Sequence, residues 1–427
     1  MAFIQGDSGP NTLTGGLDND IIWGMDGNDT MTGGAGNDDL DGGAGVDTAV
    51  FSGTQLQYDY SMVLDSTTWR NEANYVAHTN LLVLDSFSGR DGDDFLLGTE
   101  FLKFSNGTVH WYDVPVTYTV SSSTSSLEGI GIYGGVMNDT MIGHAGDNNF
   151  IGGLGDDYID GGTAGFDTAI YYAADTYVTM NPVAGGVTVD LGTGSASGAW
   201  GNDTLVNIDA VIGSFYNDVL VGGASANYLN GEAGEDILIG AQGDDTLDGW
   251  DGLDWVLYNG NASEYTMSGN ASERHFEDNV GSNGYDTLLN VERVQFDNLG
   301  LAFDINGNAG DAARIIGVLL GGDYVQNEAI ERIVINALDS GYTLEDFADL
   351  AIDTLYPQYT SAQLATLMYT NVVGFAPSQG DVNYLVDVMA QTSAAWLAVY
   401  AGDTVYNDDN IDLAGLTQYG VPFLPII

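Results

Sequence analysis

The 427-residue chain contains no cysteine, so disulfide bonds and thiolate metal ligands are excluded. Bound metal ions are then an alternative means of reinforcing the fold. No stretch approaches the ~20 consecutive apolar residues that a membrane-spanning helix needs, which argues against membrane insertion. The first residues, MAFIQGDSGPN, show neither the basic region nor the apolar region of an N-terminal signal peptide.

Basic residues are scarce. Lysine and arginine together number 7 against 61 acids, the net charge is −54, and Lys103 is the single lysine. Binding to nucleic acid and to anionic membranes by charge both need basic surface, so both are disfavoured. The contents of hydrophobic (44%) and aromatic (11%) residues are too high for a disordered acidic chain. We therefore expect a folded protein whose acids face divalent cations or a salty medium.

Catalytic sequence patterns are missing as well. No histidine belongs to an HExxH sequence or to a spaced zinc pair, so we expect no catalytic zinc. The four histidines are His78, His110, His144 and His275. The nucleophile pattern GxSxG is absent, because Gly194–Gly198 carries alanine at the nucleophile position. No phosphate-binding loop occurs either, and the sequence predicts a protein that is not an enzyme.

Glycine, in contrast, is abundant, and its spacing organises the chain. Residues 6–50 form five consecutive blocks of nine: GDSGPNTLT, GGLDNDIIW, GMDGNDTMT, GGAGNDDLD and GGAGVDTAV. Most blocks have glycine first, an acid or asparagine sixth and an apolar residue eighth. The sixth-position residues are Asn11, Asp20, Asp29, Asp38 and Asp47, and the eighth-position residues are Leu13, Ile22, Met31, Leu40 and Ala49.

This spacing predicts a parallel β-roll. Glycines permit tight turns in the first six residues of each block, and the last three are extended with the middle one pointing inward. Two blocks then make one 18-residue coil, so each sixth-position carboxylate lies above the one 18 residues away. The stacked loops should enclose carboxylate and carbonyl oxygens, which are ligands that suit Ca²⁺.

Two further blocks repeat the pattern, from Gly134 and from Gly213. Their candidate ligands are Asp139, Asn148, Asp157 and, after one inserted residue, Asp167, followed by Asp218, Asn227, Asp236, Asp245 and Asp254. Asparagine at Asn11, Asn148 and Asn227 lacks the ligand charge, so those sites should be weaker. The repeat geometry predicts roughly eight calcium sites in all.

The blocks resemble the nonapeptide GGxGxDxUx of the RTX (repeats-in-toxin, hemolysin-type calcium-binding) family. The resemblance implies calcium as the cofactor and export by a type I secretion apparatus, which reads an uncleaved C-terminal signal. It does not imply a toxin. The missing N-terminal signal peptide is compatible with this route, and equally with a cytoplasmic protein.

The segments between the blocks are related to one another. Residues 51–120 alternate as antiparallel strands do, and Ser121–Ser126 has the composition of a linker. The stretch 94–104 matches 286–296 in its spacing from acid to acid and from acid to phenylalanine, and 203–209 is a partial third copy. We interpret these strand-rich spacers as structural caps on the open ends of each roll.

Near residue 307 helical periodicity replaces the glycine blocks and predicts a small helical bundle. Thr343 and Asp346 resemble a capping box that opens one helix, and Ser361 and Ser378 should open two more. The residues predicted to share one face of the first helix are Phe347, Leu350, Ala351 and Leu355, with Pro357 ending it.

Residues 367–384 resemble the helical DUF4214 family, which often follows RTX repeats and implies no settled activity. Phe375 and Leu385 depart from the residues that family often carries. The terminal stretch GLTQYGVPFLPII is apolar and nearly uncharged. It is either a secretion signal or a strand packed on the bundle, and the sequence leaves both open.

The predicted fold class is mainly β: parallel β-roll blocks with strand-rich spacers, plus a C-terminal helical bundle. The predicted domains are 1–127, with the first block; 128–306, with the second and third; and 307–427, helical. The leading hypothesis is a secreted, calcium-folded structural protein that self-assembles into a surface layer, filament or matrix. The alternatives are an adhesin that binds cell-surface glycans, for which tryptophans would form the platform, and an enzyme with an unrecognised site.

Overall fold

The computed structural model describes residues 1–54, 57–64, 81–85, 91, 93–97, 101–105, 107–110, 117–120, 130–134, 136–143, 145–172 and 185–425. The chain divides into two compact units, Met1–Gly223 and Ala224–Ile427. The predicted boundaries at residues 127 and 306 stay a prediction, and the predicted linker Ser121–Ser126 lies outside the described residues.

The first unit begins with strands of three residues that recur every nine residues. They are β1 Phe3–Gln5, β2 Thr12–Thr14, β3 Ile21–Trp23, β4 Thr30–Thr32, β5 Asp39–Asp41 and β6 Thr48–Val50. Strands β1, β3 and β5 pair in parallel, and so do β2, β4 and β6. Ile4 lies opposite Ile22, and Leu13 opposite Met31. The offset of 18 residues confirms the two-block coil of a parallel β-roll.

The eighth-position side chains form the interior of this roll. Ile22, Met31, Leu40 and Ala49 are fully buried, because the middle residue of each three-residue strand points inward. The same position is buried in the later blocks, at Met141, Phe150, Ile159, Ala169, Leu220, Leu229, Leu238, Leu247 and Val256. The apolar surface removed from water in these columns is the main favourable term in folding the roll.

The remaining strands of the first unit alternate between roll and hairpin. They are β7 Tyr58–Leu64, β8 Leu81–Asp85, β9 Asp93–Leu97, β10 Phe101–Phe104, β11 Gly107–His110, β12 Thr117–Val120, β13 Ile130–Tyr133, β14 Thr140–Ile142, β15 Asn148–Ile151, β16 Tyr158–Asp160, β17 Thr168–Ile170, β18 Val187–Asp190, β19 Ser195–Gly198, β20 Gly201–Val206, β21 Ala210–Ile212 and β22 Val219–Val221.

The spacers leave the roll and return to it. Strands β7, β8 and β9 form an antiparallel meander, and β9 then pairs in parallel with β5, with Leu96 opposite Leu40. Strands β18, β19 and β20 do the same, and β20 pairs in parallel with β16, with Leu205 opposite Ile159. The predicted caps therefore add a coil to the roll.

The second unit repeats this plan. Its strands are β23 Tyr228–Asn230, β24 Ala233–Gly234, β25 Ile237–Ile239, β26 Thr246–Asp248, β27 Asp251–Gly252, β28 Trp255–Leu257, β29 Tyr265–Asn270, β30 Glu273–Asp278, β31 Tyr285–Leu289, β32 Arg293–Gln295, β33 Gly300–Ala302 and β34 Val421–Phe423. Strands β29, β30 and β31 are antiparallel, after which β31 pairs in parallel with β26 and β32 with β28.

Helices occupy the rest of the second unit, as predicted. They are α1 Asn308–Leu319, α2 Glu328–Asp339, α3 Leu344–Leu355, α4 Ser361–Val373, α5 Gln379–Gln391, α6 Ala394–Gly402, α7 Val405–Asn410 and α8 Leu413–Tyr419. Thr343 and Ser378 cap α3 and α5, which confirms both predicted starts, whereas α4 is capped by Thr360, one residue before Ser361. Among the helices that the structure describes, none combines the length and the apolar character of a membrane crossing.

The predicted buried face of α3 is partly wrong. Leu350 and Leu355 are 54% and 50% exposed, and the fully buried positions are Ala348 and Ile352. Successive helical residues are rotated by about 100°, so Leu350 lies about 200° around the helix from Ala348. Leucine on both faces of this helix made the pattern ambiguous.

The terminal stretch begins within α8 and continues as β34, which pairs antiparallel with β33 and packs on α2. The structure thus shows the strand alternative for Val421–Phe423. Its use as a secretion signal stays a prediction.

Glu331 is an unfavourably buried acid in the helical core. Its side chain is fully buried, and both carboxyl oxygens lack a hydrogen-bond partner within the described residues. Burial raises the pKa of Glu331 well above its usual value. We expect Glu331→Leu to stabilise the second unit by about 1–3 kcal/mol, because it removes an unsatisfied buried polar group. Unfolding followed by the helical circular-dichroism signal in saturating Ca²⁺ measures this.

Asp349→Leu, an acid-to-leucine change at an exposed position of α3, is the control and should shift stability by no more than about 0.5 kcal/mol. Equal effects of the two changes would contradict the interpretation of Glu331.

Candidate metal centres

The sixth-position carboxylates form hydrogen-bonded ladders. In each, one carboxylate oxygen accepts from the backbone N–H of the residue one coil earlier. The N–H of Asp20 donates to Oδ1 of Asp38 (2.6 Å), and that of Asp29 to Oδ1 of Asp47 (2.7 Å). The later blocks repeat this bond, from Asp139 to Asp157, Asn148 to Asp167, Asn227 to Asp245 and Asp236 to Asp254. Negative charges are thereby stacked one coil apart.

The second oxygen of several of these carboxylates has no proton donor. Within the described part of the chain, Oδ2 lacks a hydrogen-bond partner in Asp29, Asp38, Asp157, Asp245 and Asp254. These five side chains are at most 2% exposed. A buried carboxylate oxygen with neither donor nor counter-charge is costly, so each of these groups requires a cation or a proton.

The unpartnered oxygens face the first-position glycines. A Cβ atom added at Gly24 would collide with Oδ2 of Asp29 and would lie 2.5 Å from the carbonyl oxygen of Gly42, which belongs to the next coil. An added Cβ at Gly15 would likewise meet the carbonyl of Gly33 and Oδ2 of Asp20, which here also accepts from the N–H of Gly16. Glycine is required here because carboxylate and carbonyl oxygens from two successive coils converge on its bare face.

Burial and mutual repulsion raise the pKa values of Asp157, Asp245 and Asp254 when no cation is bound. Burial, reinforced by the charges of Asp203 and Asp139, raises the pKa of Asp157 to about 8. Burial, with the charge of Asp236, likewise raises the pKa of Asp254 to about 8. The pKa of Asp245 is about 7 for the same main reason.

The donor set fits a hard cation. Among the residues that the structure describes, no group of three or more His, Cys, Asp or Glu side chains converges as in a zinc centre. Carbonyl oxygens must therefore supply many of the ligands, and Ca²⁺ accepts six to eight oxygens of mixed carboxylate and carbonyl type. The sixth-position aspartates and the first-position carbonyls of adjacent coils would hold such an ion, which would supply the missing positive charge.

Asn148 shows what asparagine does at a sixth position. Its Nδ2 donates to the carbonyl oxygens of Gly146 (2.5 Å) and Gly161 (3.2 Å) and to Oδ1 of Asp167 (2.7 Å). With the side-chain amide in this orientation, its hydrogens point at the oxygens that an aspartate would leave available to a cation. Calcium binding beside Asn148 should therefore be weakened in two ways. The side chain lacks a negative charge, and its amide group competes with the ion for the same oxygens.

Five acids outside the predicted set extend the ladders. The N–H groups of Asp38, Asp157 and Asp245 donate to Asp94, Asp203 and Asp286, each at 2.9 or 3.0 Å. Those of Asp167 and Asp254 donate to Asp209 and Glu292, both at 3.0 Å.

A signal for these acids was present in the spacers. A glycine precedes the first acid of each spacer by five residues, in GRDGDDFLL, GAWGNDTLV and GSNGYDTLL. Each spacer therefore contains a nonapeptide of its own.

Comparison with known proteins agrees with this geometry. The family model described as "RTX calcium-binding nonapeptide repeat (4 copies)" matches residues 3–31, 14–49, 133–168, 212–247 and 231–260. These segments are RTX calcium-binding repeats. The RTX repeats thus coincide with the coils that carry the aspartate ladders. No family match supports the resemblance of the helical bundle to DUF4214, which stays a prediction.

Comparison with curated proteins gave no match. One similar solved structure is that of the extracellular lipase LipA from Serratia marcescens, with 14% identity and a TM-score of 0.20. The match covers 68% of this chain and 37% of that one, so this chain spans little more than a third of the lipase. A likeness this weak supports no statement about activity.

The raised pKa values predict that the metal-free roll is stable in acid and unstable above neutrality. The pKa of Asp157 is 3.8 as an ordinary value and about 8 in the fold. The folded state therefore binds more protons than the unfolded state between these limits, and its stability falls as pH rises from about 4 to 8. In chelator, the β signal in circular dichroism should be strong near pH 5 and weak near pH 8.5.

The calcium-loaded protein at the same two pH values is the control, and it should be folded at both. A metal-free roll that is equally stable at pH 5 and 8.5 would contradict the burial of unpaired carboxylates.

Gly24→Ala tests the glycine requirement. The new methyl group collides with Oδ2 of Asp29 and with the carbonyl of Gly42, so we expect roughly tenfold or more weaker binding of one calcium ion, equivalent to about 1.4 kcal/mol. Gly9→Ala is the matched control, because its new methyl group meets only Oδ1 of Asp7, at 3.5 Å. Calcium titration by calorimetry distinguishes the two; equal affinities would show that the glycine face is not a binding surface.

Proposed function

We propose that this chain is a secreted, non-enzymatic structural protein that folds when its RTX repeats bind calcium outside the cell, and then self-assembles. The observation that carries the proposal is that the sixth-position carboxylates are buried in ladders one coil apart, and that within the described residues Oδ2 has no proton donor in Asp29, Asp38, Asp157, Asp245 and Asp254. Such a structure is incomplete until cations are bound, which makes folding conditional on calcium.

The net negative charge of the chain makes folding strongly dependent on calcium. The chain carries a net charge of −54, and without cations this charge expands it. Calcium sites in extracellular modules have Kd values of about 10⁻⁴–10⁻³ M, so cytosolic calcium does not fill them. Roughly eight bound ions would supply about sixteen positive charges. The protein then stays unfolded inside the cell, passes through a type I secretion apparatus and folds outside.

The large remaining negative charge supports assembly in the presence of calcium. Acidic faces of two molecules repel each other unless divalent cations bridge them. In addition, the helical region displays large apolar side chains to solvent: Phe375, Tyr384, Tyr400, Val405 and Tyr406. Exposed apolar surface of this kind supports docking on a neighbouring copy within a surface layer, filament or matrix.

The second candidate function is a monomeric calcium-dependent adhesin that binds glycans through aromatic side chains. Trp250, in an RTX loop, is 53% exposed and favours this reading. Three other tryptophans contribute to packing instead. Trp200 is buried, Trp23 packs edge-on against Phe3, and Trp255 packs edge-on against Phe423.

Electron microscopy of the purified full chain with and without calcium tests the proposal. We expect ordered arrays or fibres in millimolar Ca²⁺ and dispersed, unfolded chains in chelator at pH 8.5, where the β signal in circular dichroism should appear only with calcium. Magnesium at the same ionic strength is the control, because Mg²⁺ demands a smaller octahedral site and keeps its waters.

Two results would count against the proposal. A fully folded β signal in chelator at pH 8.5 would remove calcium-dependent folding. Folded monomers that persist in calcium and bind a glycan array would replace self-assembly by the adhesin function.

A further inference from the structure

The last repeat of the second unit meets a spacer coil in the way that two repeats meet. At Gly249, an added Cβ would collide with the carbonyl oxygen of Asn290 and would lie 2.6 Å from Oδ2 of Asp254. Gly24 has the same surroundings, with Gly42 of the following repeat in place of Asn290. Asn290 therefore supplies the carbonyl that the first-position glycine of the next repeat would supply.

Asn290 also adopts the backbone of a glycine. Its φ is +49°, a left-handed conformation that asparagine tolerates better than most residues. This conformation turns the chain directly after β31 and aims the carbonyl oxygen toward Gly249.

Glu292 takes the place of the sixth-position aspartate. Its Oε2 accepts from the N–H of Asp254 at 3.0 Å, the bond that Asp254 itself accepts from Asp236 at 2.9 Å. Only six residues separate Asp286 from Glu292, whereas successive repeat aspartates lie nine apart.

An unpartnered oxygen already faces this junction. Asp254 is fully buried, and its Oδ2 has no hydrogen-bond partner among the described residues. A carboxylate oxygen in that position needs a positive charge, and the adjoining carbonyl of Asn290 adds a further oxygen.

We propose that the Gly249–Asp254 loop, together with Asn290 and Glu292 of the spacer, forms a calcium site that lies partly outside the RTX repeats. The family match ends at residue 260, so neither spacer residue belongs to a matched repeat. The inference rests on calcium binding by the repeats, but not on secretion or self-assembly.

The first unit contains the same arrangement. An added Cβ at Gly161 would collide with the carbonyl of Asn207 and would lie 2.6 Å from Oδ2 of Asp167. Asn207 has a φ of +53°, and Asp209 accepts from the N–H of Asp167 at 3.0 Å. In both units, therefore, residues of a spacer take the place of a repeat at the end of a ladder of sixth-position carboxylates.

Two guanidinium groups carry positive charge near Glu292. Arg293 donates to Asp304 and Asp339, which leaves Arg274 as the competing partner. Arg274 is buried and lies over the ring of Phe303, 4.0 Å from the ring centroid. Burial lowers the pKa of Arg274, and the negative charge of Glu292 opposes that shift. If Arg274 neutralises Glu292, the junction needs no ion.

Glu292→Gln separates the two possibilities. The amide oxygen of glutamine still accepts from the N–H of Asp254, so the ladder remains while the negative charge is lost. Glu277→Gln, at an exposed position of β30, removes the same charge elsewhere and is the control. Native mass spectrometry of the full chain in calcium should show one bound ion fewer for Glu292→Gln and an unchanged number for Glu277→Gln.

The outcomes distinguish this inference from the proposed function. A folded Glu292→Gln variant with the full number of ions would overturn the spacer site, while calcium binding by the repeats would stand. No bound calcium in any variant would defeat the proposed function itself. If Glu292→Gln does not fold, wild-type crystals soaked in terbium decide: an anomalous peak between Gly249 and Glu292 supports the site, and peaks confined to the repeats refute it.

Discussion

The stacking of buried carboxylates is the constraint on which the rest of the structure depends. Sixth-position aspartates such as Asp38 and Asp47 accept a hydrogen bond from the backbone of the preceding coil, which fixes the register of the two coils. The other oxygen has no proton donor among the described residues at Asp29, Asp38, Asp157, Asp245 and Asp254, and it faces a glycine-lined cluster where only a positive charge satisfies it. The same residue therefore sets the geometry of the roll and makes its stability conditional on what the solution contains.

Much of this arrangement was predictable because a fixed period carries geometric information. The nine-residue spacing alone implied that Ile22 and Leu40 would lie one above the other inside the roll, and the structure pairs them. The 18-residue spacing likewise implied the columns of aspartates. Local cues also sufficed at Thr343 and Ser378, because a helix cap depends only on residues within one turn.

Other features depend on contacts that sequence spacing does not encode. Asp286 and Glu292 enter the ladders because the chain returns to the roll after the β29–β30 hairpin, and that return is a matter of tertiary pairing. The amide of Asn148 fills its oxygen cluster through three bonds that composition alone could not distinguish from a weak ligand. Leu350 was misplaced because both faces of its helix carry leucine.

The hairpins that leave and rejoin the roll have a consequence for how such a chain can vary. The glycine and the acid of each coil align it with the coil before it. The register of two coils therefore does not depend on how many residues connect them. Strands β29 and β30 extend outward between β28 and β31 without disturbing the parallel pairing on either side. Their connecting turn is accordingly a natural attachment point, where an inserted peptide or whole domain would be displayed while the scaffold beneath keeps its count of coils.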